Sequence, residues 1–126
     1  MTKRAQLSHV RLAAAPGPQE PQAGPDYDFV APLDPQGRID VEVWKDERAL
    51  CFVHRLEGGT TRHGLLVHRP GGVGGAYWAF DYEPGSGDEE TGHRFETHAF
   101  TPGAYASVRD VDGDMRTYRV VSVKPA

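Results

Sequence analysis

Cysteine is all but missing: Cys51 is the only one among 126 residues, so no intrachain disulfide can brace the fold. It sits in the apolar run Ala49-Leu-Cys-Phe-Val53 with no base beside it, where a thiol behaves as a small inert hydrophobe. Apolar runs long enough to span a membrane are also lacking. Residues 1–15 start basic and end in Ala13-Ala14-Ala15, but His9 and Arg11 fall where a secretory signal needs an unbroken apolar stretch. The expectation is therefore a chain that is not exported and works in the cytoplasm. Lysine is scarce beside arginine, while Ala, Gly and Pro abound, the composition expected of a GC-rich bacterial genome.

A basic excess is absent as well. The formal net charge is −4, and residues 1–25 carry Lys3, Arg4 and Arg11 against Glu20, so their +2 leaves −6 on the remainder. Proteins that hold nucleic acid neutralise phosphates with clustered cations, and anionic membrane surfaces make the same demand. Neither is expected as a main partner.

What remains is β-patterned. Pro16, Gly17, Pro18, Pro21, Gly24 and Pro25 crowd a stretch without apolar periodicity, so residues 1–25 read as a flexible tail and residues 26–126 as one β domain. Strand patterns fall at residues 27–31, 38–44, 50–56, 61–69, 76–82, 93–100, 104–110 and 114–123, with turn residues between them and no long amphipathic helix. Residues 83–92 read as an acidic mobile loop, with Glu89 and Glu90 solvated. The fold class expected is a small antiparallel barrel, or a partly open barrel or sandwich, of about eight short strands, closure being favoured because it removes edges.

Two hairpins have a definable register. Asp112-Gly113 suits a three-residue loop, Val111 to Gly113, with Gly113 left-handed, which gathers Ala104, Ala106, Val108, Tyr118 and Val120 on one face. Gly58-Gly59 suits a two-residue loop that sets His54 opposite His63.

The chemistry-bearing patterns are sparse. Asp110, Asp112 and Asp114 alternate like the first ligands of a calcium loop, but the glycine and the distal glutamate that such a loop needs are replaced by Met115 and Val121. Turn chemistry accounts for the aspartates. The glycines of residues 71–75 precede a strand pattern, not the helix N-terminus a phosphate cradle uses. Ser107 and Ser122 have no elbow-like surroundings. His54 and His63 could share a divalent transition metal if one of His68, His93 or His98 joined them, and a metal-dependent enzyme is the alternative function. The leading expectation is a domain without catalytic groups or cofactor that binds a small apolar or amphipathic ligand or a protein partner. Its site would be an aromatic barrel mouth made of Trp78, Phe80, Phe95, His98, Tyr105 and Arg119.

Overall fold

A computed structural model describes residues 5–14, 25–71, 76–82 and 88–126. Eight strands run in order as β1 (Gln6–Ala14), β2 (Asp26–Leu33), β3 (Phe52–Glu57), β4 (Thr60–Arg69), β5 (Tyr77–Asp81), β6 (Glu89–His93), β7 (Tyr105–Arg109) and β8 (Met115–Pro125). Each pairs antiparallel with the next, and β8 returns to β1, so the sheet is a closed barrel. Closure leaves no unpaired edge, as the succession of hairpins led us to expect.

The strand count agrees with the sequence, but the membership differs in three places. Gln6–Ala14, expected in the tail, is β1 and is held on both sides by β2 and β8. Val10 and Leu12 point inward with no exposed surface, while His9 and Arg11 alternate outward. The polar residues that break a signal peptide are thus the solvated half of a strand. The other residues expected in the tail, 1–4 and 15–24, lie outside the described residues.

Residues 38–44, expected as a strand, instead lead into helix α1 (Val41–Glu47). Asp40 caps it, its Oδ1 accepting the Val43 amide hydrogen at 3.1 Å. That satisfies an end amide which an extended chain would have presented to a neighbouring strand. Val43 and Trp44 are buried. A single 3-10 turn, Arg48–Leu50, joins α1 to β3.

The third change is at β6, which occupies Glu89–His93, so part of the expected acidic loop is a strand. Residues 94–97 are a turn, not a strand, with Arg94 at a φ of 55°. That turn brings Phe95 down onto Gly92. A Cβ on Gly92 would lie 2.4 Å from the Phe95 ring, so the ring occupies space that only glycine leaves open.

Both hairpin registers hold. Gly58 and Gly59 have φ of 57° and 81°, and His54 pairs with His63. Gly113 has φ of 91°, and Asp110 receives hydrogen bonds from the Asp112 and Asp114 amides at 3.0 and 2.9 Å. Ala106, Val108, Tyr118 and Val120 point into the core, as the three-residue loop requires. Among the described residues no second sheet covers the outer side of β3 and β4, where Leu65 is 38% exposed.

One core fills the barrel. Trp78, Phe80, Phe29, Phe95 and Phe100 are buried together, with Phe95 and Phe100 rings edge-to-face at 4.9 Å. Trp44 from α1 lies over the Trp78 ring at 5.4 Å and 89° and donates its indole hydrogen to the Leu66 carbonyl at 3.0 Å. This end is closed by aromatics. The opposite end is polar.

Candidate functional site

At the polar end, strand alternation turns Glu89 outward and Glu90 inward, beside Phe80. Glu90 is 2% exposed and is the buried charged residue among those described, which corrects its expected place in a solvated loop. The Tyr82 and Tyr27 hydroxyls donate to Glu90 Oε1 at 2.6 and 2.9 Å, and Arg55 Nε stands 3.5 Å from the same oxygen. Burial, and then the Glu90 charge, push the Tyr27 and Tyr82 phenols far above their ordinary range. Burial alone would lower the Arg55 pKa, but Glu90, Tyr27 and Glu57 outweigh it and hold the guanidinium charged. Arg62 closes the cluster from outside, over the Tyr82 ring at 4.8 Å and in an ion pair with Asp88 at 3.2 Å. The cluster consumes its own charges, so its chemistry is to tie β2, β3, β5 and β6 together.

The α1 end holds the better place for a ligand. The turn after α1 stands off from β4 and leaves a cleft of about 340 Å³ bounded by Trp44, Arg48, Ala49, Leu65, Val67 and His68. Leu65, 38% exposed, gives it an apolar wall open to solvent. Its floor is a ring cluster, His68 lying tilted 4.4 Å from Trp78 and edge-to-face 6.0 Å from Trp44. Burial, and next the Lys45 charge, lower the His68 pKa while Glu96 opposes them, so the imidazole is neutral near pH 7. Arg69 is spent on Asp81 and Glu89 at 3.0 and 3.1 Å, whereas Arg48 has no ion pair among the described residues. The cleft therefore offers aromatic and aliphatic walls with one uncommitted donor group at the rim.

Two other clefts are less equipped. One of about 350 Å³ runs past Ser8, Asp34 and Phe100, but the Asp34 carboxylate already accepts from the Gln36 and Arg38 amides. Another of about 460 Å³, between Ala5, Glu47 and Ala126, has no aromatic or cationic wall.

Of the residues expected to form an aromatic mouth, Trp78, Phe80 and Phe95 come together inside the core and not at an opening, while Tyr105 and Arg119 stand apart from them on β7 and β8. Trp78, Phe80 and Phe95 are fully buried core. Tyr105 is 60% exposed on the outer face, opposite Arg119. His98 leans on the Phe100 ring at 4.7 Å, and burial lowers its pKa. Trp78 alone adjoins the cleft, through His68. Sequence reasoning missed Trp44, Arg48 and Leu65, for which the available signal was the helix cap at Asp40.

His54 and His63 do face one another, their ring centroids 4.5 Å apart. Among the described residues no group of three or more His, Cys, Asp or Glu side chains is arranged to hold a metal. No helix among them is long and apolar enough to cross a membrane. The Cys51 thiol is buried, and burial followed by the Glu47 charge raises its pKa to about 11, in keeping with an inert core position. Comparison with protein families, with curated proteins and with solved structures finds no match. The fold defines the class, a small closed β-barrel of eight strands.

Proposed function

We propose that this barrel binds a small amphipathic molecule, without chemical change, in the cleft between the 3-10 turn Arg48–Leu50 and β4. The observation that carries this reading is the pairing of an apolar wall, Leu65 and Val67 beside Trp44, with the uncommitted Arg48 guanidinium at the rim of a cleft of about 340 Å³. That volume accommodates a compact ligand. An apolar body would cover Leu65 and Trp44, and an acceptor head, carboxylate or sulfonate, would meet Arg48. Support for binding over catalysis comes from the site's own groups: His68 is packed between the Trp44 and Trp78 rings, and no nucleophile or carboxylate lines the cleft.

Titration with 8-anilinonaphthalene-1-sulfonate, followed by amide and indole NMR, tests it. The expected result is saturable one-to-one binding that moves the Trp44 indole proton and the Leu65 to His68 amides. Arg48→Ala should weaken it about fivefold, the ~1 kcal/mol of a half-exposed charged contact, and Leu65→Asp should remove it. Non-saturating binding, or shifts centred away from Trp44, would refute the proposal.

A further inference from the structure

The β3–β4 hairpin holds a second feature, independent of the cleft. Because Gly58 and Gly59 both take positive φ, 57° and 81°, the turn between Glu57 and Thr60 is a tight primed one and the register is locked. His54 and His63 are therefore held opposite each other by backbone hydrogen bonding and not by chance side-chain rotation. They lie on the outer face, since Val53 and Leu66 on the same strands point inward. The two imidazoles meet edge to face, with centroids 4.5 Å apart at 85°. The ring of Phe52, tilted on His54 at 4.9 Å, limits where His54 can swing. Neither imidazole makes a hydrogen bond to another described residue, so the nitrogens are open to an external partner. On its other side His54 is paired with Asp28, whose Oδ1 is already engaged by His9 Nδ1 at 2.9 Å.

We propose that His54 and His63 form a two-imidazole chelate for a late first-row divalent ion. Ligand type decides the ion. Paired neutral imidazoles favour Cu²⁺, then Ni²⁺ and Zn²⁺, and ignore the oxygen-seeking Mg²⁺ and Ca²⁺. Because no third side chain among the described residues closes the coordination sphere, the remaining positions belong to water. The site is open to exchange, and it holds its ion more loosely than a four-ligand structural zinc site does.

The test is a titration of the full chain with CuSO₄, NiCl₂, ZnCl₂ and MgCl₂, read by calorimetry and by histidine-ring NMR. One equivalent of Cu²⁺ or Ni²⁺ is expected to broaden the His54 and His63 ring signals before those of His9, His68, His93 and His98. Zn²⁺ should shift the same pair, and Mg²⁺ should do nothing. His54→Asn and His63→Asn should each raise the dissociation constant about tenfold or more, while His93→Asn, at an exposed isolated position, should not. Broadening centred on other histidines, equal response to all six, or full binding in the double variant would overturn the proposal. The ring signals of the unaltered protein give the answer even where a variant misfolds.

Discussion

The Arg55–Glu90 pair gives the sharpest quantitative expectation. Arg55→Met keeps most of the apolar stem and removes the guanidinium, leaving Glu90, whose side chain is 3% exposed, with its charge uncompensated. Breaking a buried pair in this way costs about 3–5 kcal/mol. Tyr27 and Tyr82 continue to donate to the carboxylate, and the Arg55 side chain is itself 20% exposed, so the cost belongs at the lower end, about 3 kcal/mol. In a domain of this size that lowers the melting temperature by about 10–15 °C. Urea unfolding followed by tryptophan fluorescence measures it, because Trp44 and Trp78 are both buried. The companion Arg55→Met/Glu90→Gln removes both charges while leaving an amide oxygen for the two phenols. It should recover about 2 kcal/mol of the loss. A single-variant cost under about 1 kcal/mol, or a double variant no better than the single, would refute the view that Arg55 compensates a buried charge.

The other expectations concern the phenols and the glycine beneath Phe95. Burial, and then Glu90, raise the Tyr27 and Tyr82 pKa values in the folded chain, and burial raises that of Tyr118. The stability that these neutral phenols contribute is fully present below the unfolded tyrosine pKa near 10 and is lost as pH rises above it. In an alkaline titration at 295 nm, at least three of the five tyrosines should ionise only as near-UV circular dichroism collapses, and gradual ionisation of all five in a native fold would contradict the cluster's burial. Gly92→Ala places a methyl 2.4–2.7 Å from the Phe95 ring and should cost about 1–3 kcal/mol through overpacking. Gly71→Ala, with nothing within 4 Å of its Cβ, should change the melting temperature little, and equal melting temperatures for the two variants would remove Phe95's claim on that space.

The barrel was legible because its signals are local. The turn glycines, Gly58, Gly59 and Gly113, set two registers outright, and with them the facing of His54 and His63 and the inward pairing of Ala106 with Tyr118. The errors came where two physical readings share one pattern. Ile39, Val41 and Val43 alternate like a strand, yet Ile39, Val43 and Trp44 also suit a helix face. The cap decides between them: Asp40 satisfies the Val43 amide locally, and Glu42 and Lys45 sit at the ends where the helix dipole favours their charges. At β1 the tail's composition hid the short alternation His9-Val10-Arg11-Leu12, and nothing nearby could reveal that β8, about a hundred residues on, would cover Val10 and Leu12.

That misreading of α1 is also why the cleft could not be seen in advance. On a strand, Trp44 would share the solvated side with Asp40 and Glu42. On a helix it turns under the barrel end, where its indole meets the Leu66 carbonyl and its ring crosses Trp78. The chain must then climb back through Arg48–Leu50 to reach β3, and the detour creates the gap beside Leu65. Glu90 obeys the same rule in reverse. Its acidic neighbours, Asp88 and Glu89, promise solvent, and burial is made tolerable by Tyr82, by Arg55 and by Tyr27, the last 63 residues earlier. A side chain's environment here follows from which element passes over it, so the residues hardest to place from sequence are those whose partners arrive from far along the chain.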